Sequence, residues 1–228
     1  MKKQIEPAQR HFDQELMGLK EKLLTMGIYA ERAVTQAVKA LVDRDEAMAN
    51  QVEQEDSLLD ELEKEVDELA IKLLTEAPLA TDLRLITVAM KISRNLERVG
   101  DEATTIARRV RELNKTPQFH SLVELVRMSD LAMDLLKPAL DSFLNKQPEL
   151  ARALIPRDKA VDAIHKQVQR DMIVYLTDHP KAIAPGLNLI VISKCLERIA
   201  DHATNIAEDV VFLCEACDIR HTGKAVTE

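Results

Sequence analysis

A chain of 228 residues with a formal net charge of −8 lacks the basic surplus that draws a protein to nucleic acid or anionic lipid, so cations and other proteins are the expected partners. Its three cysteines cannot pair off into the framework of a secreted scaffold, no start resembles a signal peptide, and no apolar run approaches the roughly 18 residues of a membrane span. A reducing cytoplasm and no direct membrane insertion are expected, and five glycines, no tryptophan and abundant Leu, Ala, Glu and Lys predict helix throughout.

Residues 1–10 are polar and expected to fray. From His11 to Val42, apolar residues return at helical steps (Leu16, Leu19, Leu23, Met26, Ala30), which predicts a first helix of about 45 Å ended by the stretch Asp43–Asp45. A second helix is predicted from Glu46 to Thr75 on Leu59, Leu62, Val66, Leu69 and Leu73, closed by Pro78. The third starts at Thr81 or Asp82, both suitable caps, and runs to Leu113. Asn114–Pro117 is the clearest boundary. Beyond it the pattern predicts helices over Gln118–Asn145, Pro148–Thr177 and Ala182–Cys217, with bends at Pro138 and Pro156, and a loose polar tail from Asp218.

The second half repeats the first. Ten of 16 positions in Ile92–Ala107 recur in Ile192–Ala207 at an offset of 100 residues, and Asp56 and Asp60 recur as Asp158 and Asp162 at an offset of 102. The repeated unit is therefore three helices, and the expected fold is all-α: two tandem three-helix bundles, residues 1–115 and 116–228. In each copy Leu96, Val99, Ala103, Ile106 and Val110, or Leu196, Ile199, Ala203, Ile206 and Val210, form an apolar seam. Glu97, Asp101 and Thr104, with Glu197, Asp201 and Thr204, lie on a second line that should meet solvent or a ligand.

Four carboxylate pairs carry the chemistry: Asp56 with Asp60, Glu97 with Asp101, Asp158 with Asp162, and Glu197 with Asp201. Like charges four apart on a helix repel by a few tenths of a kcal/mol, a cost that a bound cation removes. Two such pairs on neighbouring helices would gather the oxygen donors that magnesium, calcium or manganese prefer. The competing reading is a set of solvated surface acids. His165 and His202 would let the second group take a softer metal, where the first half has Glu63 and Glu102. Arg98 reaches Asp101 and Glu102 along its own helix, so ordinary pairing is expected there, and at Arg198, rather than an anion pocket. Cys214 and Cys217, with His221 beyond, make only half of a zinc-like pattern and are expected to be a plain pair at a helix end. Nucleophile elbows and phosphate loops are absent from the sequence.

The two Leu-Glu-Arg-Val/Ile-Gly/Ala-Asp segments, Thr81–Thr87 upstream, Met26-Gly27 and the acidic pair before each key helix resemble the PhoU family of bacterial phosphate-uptake regulators. That resemblance implies two three-helix bundles and iron or zinc held at Asp56, Asp60, Glu97 and Asp101, and at Asp158, Asp162, Glu197 and Asp201. Asn205-Ile206-Ala207 keeps the family pattern while Thr105-Ile106-Ala107 departs from it, so the two sites should differ. It further implies a non-enzymatic negative regulator, often a homodimer, that joins the ATPase subunit of a phosphate ABC transporter to a sensor histidine kinase at the cytoplasmic face of the membrane. The alternatives are a ferritin-like di-metal enzyme, suggested by Asp162 and His165 three residues apart, and a purely structural helical spacer.

Overall fold

The computed structural model describes residues 7–76, 79–117 and 122–220. Among them the chain forms α1 (Pro7–Asp43), α2 (Glu46–Thr75), α3 (Ala80–Asn114), α4 (Val123–Asn145), α5 (Pro148–Leu154), α6 (Asp158–Asp178) and α7 (Ile183–Glu215), with short 3-10 turns at Ile155–Arg157 and Pro180–Ala182. The expectations for residues 1–6, Pro78, residues 118–121 and the tail from 221 lie outside the described residues.

Local chemistry sets the helix ends. Asp45 caps α2 by accepting a hydrogen bond from the Met48 amide at 3.0 Å, and Arg44 takes the left-handed backbone that often ends a helix. The Arg44 guanidinium then donates to the carbonyls of Leu113 and Asn114, both at 3.1 Å, tying the α1–α2 turn to the end of α3. The start of α3 departs from expectation. It begins at Ala80 without a side-chain cap, and Asp82 sits instead in the first turn, where its charge meets the positive end of the helix dipole.

The two interior prolines behave differently. Pro138 is accommodated within an unbroken α4, whereas Pro156 falls in the 3-10 turn that splits the expected fifth rod into α5 and α6. Proline has no amide hydrogen to donate to the preceding turn, so a chain already leaving the helix restarts there.

Both apolar seams are buried as predicted: Leu96, Val99, Ala103, Ile106 and Val110 in α3, and Leu196, Ile199, Ala203, Ile206 and Val210 in α7. Helices α1, α2 and α3 pack on one another, as do α4, α6 and α7, with α5 lying on α4 and α7. The bundles are not merely strung together. Helix α3 packs along α7 as extensively as along α2, and α1 also meets α4.

Contacts across the α3–α7 seam fix its direction. Arg84 donates to the Leu213 carbonyl at 3.3 Å, Lys91 pairs with Asp209 at 3.0 Å, His202 Nδ1 lies 3.0 Å from Asn95 Oδ1, and Arg198 donates to Glu102 at 2.9 Å. One partner's number falls as the other's rises, so the two repeats meet antiparallel. A shift of 100 residues carries Asn95 and His202 onto Cys195 and Glu102, so the seam has an approximate two-fold relation centred near Gly100 and Ala200.

Candidate metal centre

In the second bundle α6 buries Val161 and Ile164 and α7 buries Leu196 and Ile199. Helical periodicity then directs Asp158 and Asp162 from one helix, and Glu197 and Asp201 from the other, to the groove between them. Ligand oxygens of Asp162, Glu197 and Asp201 all lie within 4.8 Å of one another, with Asp162 and Glu197 half-buried and Asp201 exposed. Lost hydration, then the charges of Glu197 and Asp162, push the Asp201 carboxyl up to about 6, against the nearby Lys194 ammonium. Asp158 adjoins this group. Lost hydration and Asp162 raise its pKa as well, against a hydrogen bond from the Lys159 backbone. Three carboxylates converging from two helices, with Lys194 paired to Glu197 beside them, suit a hard divalent cation.

The two histidines do not join the donor set in the way the sequence suggests. His165 is buried with Nδ1 2.9 Å from the Ser193 hydroxyl, and burial lowers its pKa although Glu197 and Asp162 pull the other way. His202 turns into the α3–α7 seam toward Asn95, where burial and then Arg98 and Arg198 disfavour its charged form. The donors gathered in the second bundle are thus carboxylate oxygens, the set suited to magnesium, calcium or manganese and also open to iron or zinc.

The first bundle brings its acids to the same side without closing them into such a group. Lost hydration, then Asp101 and Glu63, push Glu97 up to about 7, with Asp60 adding and Arg98 opposing. Asp56 is raised by lost hydration and by Asp101 and Asp60, while the Thr104 hydroxyl favours its charged form. Arg98 lies 3.6 Å from Glu97 and 3.7 Å from Asp101, so a guanidinium already stands between two of the four expected ligands. Among the described residues, the Asp162–Glu197–Asp201 triad is the set of three potential ligands that comes within this mutual distance.

Two further corrections concern the polar line. Thr104 and Thr204 are buried rather than turned to solvent; Thr104 faces Asp56, and Thr204 donates to the Ala200 carbonyl at 3.0 Å. Glu102 pairs with Arg198 across the seam and not with Arg98 along α3. Lys194 was not singled out from the sequence, although its place three residues before Glu197 is the spacing of a helical ion pair.

Gly100 sets how closely α2 approaches. A Cβ there would lie 2.4 Å from Leu59 Cδ1 and 3.8 Å from Asp56 Oδ1. The equivalent positions in the second bundle are Ala200 and Val161, where a larger residue on one helix faces a smaller one on the other. Cys195, Cys214 and Cys217 are free thiols. Burial pushes up the pKa of Cys195 and Cys214, which makes them inert as nucleophiles.

The PhoU domain family matches twice, over residues 23–110 and 125–210. A phosphate-specific transport system accessory protein PhoU homolog of Pseudomonas aeruginosa is 37% identical over 218 residues, covering 94% of this chain and 89% of that protein. The crystal structure of PhoU from Pseudomonas aeruginosa superposes with a TM-score of 0.87 at 36% identity, over 90% of this chain and 100% of that one. The phosphate transport system regulatory protein PhoU from Streptococcus pneumoniae gives a TM-score of 0.86 at 27% identity, over 91% and 99% of the two chains.

Proposed function

Because the chain belongs to the PhoU family, whose members are accessory and regulatory proteins rather than enzymes, we propose that it restrains phosphate uptake and the phosphate-starvation response as a cation-binding adaptor. Its partners in this reading are the ATPase subunit of a phosphate-specific ABC transporter and a sensor histidine kinase, met by a homodimer at the cytoplasmic face of the membrane. No described helix is long and apolar enough to cross a membrane, which agrees with a role exerted through protein contacts. The division into residues 1–115 and 116–228 belongs to the same reading.

The observation that carries the cation part is the convergence of Asp162, Glu197 and Asp201 from two helices. Glu197 and Asp162 raise the cost of ionising Asp201, and a divalent ion between the three removes that cost. The ferritin-like reading loses ground on the same geometry. Such enzymes point Glu and Glu-x-x-His ligands into a closed four-helix core, whereas here Asp201 is exposed and His165 is held by Ser193.

The test pairs elemental analysis with co-purification. Untagged protein prepared without chelator should carry a divalent metal and retain the transporter ATPase subunit or the kinase, and Glu197→Gln/Asp201→Asn should lose the second-bundle share of metal at unchanged helicity. A wild-type protein that carries no metal and takes up none on titration would overturn the cation role. Failure to retain either partner would overturn the adaptor role.

A further inference from the structure

We infer that the α3–α7 seam holds a binding cleft for a small multiply charged oxyanion of the phosphate class, made receptive when cations occupy the carboxylate groups on either side. The inference rests on the cation reading above. A cleft of about 440 Å³ opens along the seam, with Arg98 and Arg108 from α3 and Lys194 and Arg198 from α7 in its wall. That size lies within the range of about 300–1,000 Å³ typical of small-molecule sites. Thr104 and Thr105 line the same space.

In the described state every one of these cations is held by an acid. Arg98 lies 3.7 Å from Asp101, Arg108 3.4 Å from Glu53 and Arg198 2.9 Å from Glu102, and Lys194 pairs with Glu197. Two of the four acids, Asp101 and Glu197, belong to the carboxylate groups that would hold cations. A carboxylate engaged by a divalent ion no longer neutralises its former partner, because the ion is then the largest local charge. Arg98 and Lys194 would be released at the two ends of the cleft, one from each bundle. Guanidinium forks grip phosphate and carboxylate oxygens in pairs. The two released cations, Arg98 and Lys194, match the charge of a dianion, whereas a monocarboxylate would leave one of them unmatched, and Arg108 and Arg198 stay paired with Glu53 and Glu102.

The cleft has no identical counterpart. Shifting its residues by 100 to the opposite flank keeps a basic residue in place of Arg98, Lys194 and Arg198 but replaces Arg108 with Glu208 and Glu102 with His202. Arg98 keeps the expected helix pairing with Asp101, whereas Arg198 reaches across the seam, and both arginines line one space.

Calorimetric titration of the full-length protein tests this, with inorganic phosphate and glucose 6-phosphate as separate probes at constant ionic strength. Asp101→Asn/Glu197→Gln removes the acid paired with Lys194 and one of the two beside Arg98, leaving Glu97, without any metal. This variant should bind one of the probes at least tenfold more tightly than metal-free wild type, and adding Arg108→Gln/Arg198→Gln should abolish the gain. Tighter binding of inorganic phosphate identifies the free ion as ligand, and tighter binding of the sugar phosphate identifies a phosphate monoester. A folded Asp101→Asn/Glu197→Gln variant with no saturable binding of either probe, or binding indifferent to Arg108→Gln/Arg198→Gln, overturns the cleft. Binding by the charge-neutral variant, alongside a wild type that takes up no divalent cation, would keep the cleft and overturn both its gating by cations and the cation role proposed above.

Discussion

Gly100 on α3 and Leu59 on α2 occupy space that only one of them can enlarge, since a Cβ on the glycine would fall 2.4 Å from the leucine Cδ1. Gly100→Ala gains helix propensity of about 1 kcal/mol but forces a buried leucine off its position, and overpacking costs about 1–3 kcal/mol. Leu59→Val alone should cost about 1 kcal/mol by leaving a void. The double variant recreates the Ala200–Val161 combination of the second bundle, so it should be more stable than either single change predicts by addition. Urea unfolding of the four proteins as a double-mutant cycle measures the coupling; strict additivity would show that the contact does not limit the approach of the helices.

Cation-free protein should lose stability as pH rises from about 3.8 to about 7. Glu97 moves from an ordinary 4.5 up to about 7, and Asp201 from 3.8 up to about 6. Between the ordinary and the raised values the folded state keeps protons that the unfolded chain has already released. The free energy of unfolding therefore falls with rising pH through that window and levels off above it. Glu97→Gln should flatten the upper part of the decline and Asp201→Asn the lower part. Thermal melts across this pH range read the slopes, and slopes unchanged in both variants would contradict the crowding of these acids.

Cation affinity should differ between the bundles. The second presents three converging carboxylates, whereas the first must displace Arg98 from between Glu97 and Asp101. Manganese titration followed by electron paramagnetic resonance should resolve a tighter class abolished by Glu197→Gln and a weaker class abolished by Asp101→Asn. Loss of the tighter class on Asp101→Asn would reverse this order.

Lys91→Ala should destabilise the seam by about 2 kcal/mol, because it leaves the Asp209 carboxylate buried and without its cation. Asp209 is 5% exposed and meets Lys91 Nζ at 3.0 Å; the same ammonium lies 5.3 Å from the centre of the Phe212 ring. Lys91→Met/Asp209→Leu removes both charges together and should recover most of the loss. Chemical denaturation of the two variants decides the matter, and a neutral Lys91→Ala would mean that Asp209 is served elsewhere.

The apolar seam on α3 and α7 was legible because burial depends on local spacing, and Leu96 to Val110 follows steps of three and four. The carboxylates were legible for the same reason, doubled by the repeat. The direction of His202 and the partner of Glu102 were not, since both depend on how α3 meets α7, a contact between residues about 100 apart in the chain. Once Arg198 reaches across to Glu102, Arg98 is left to Glu97 and Asp101. That choice leaves a guanidinium beside Glu97 and Asp101, and helical periodicity carries no trace of it. Thr104 misled in a smaller way: its place on the polar line is real, but the close approach allowed by Gly100 covers it.

The antiparallel seam has a bearing on how such a molecule can change over time. Had the repeats remained separate copies joined as a symmetric dimer, any substitution at the junction would strike both flanks at once. Covalent tandem fusion lifts that restriction, and the flanks have since diverged: one carries a charged Glu102–Arg198 contact and the other a neutral Asn95–His202 contact. A single chain can therefore refine one flank for a ligand while the other keeps the halves in register.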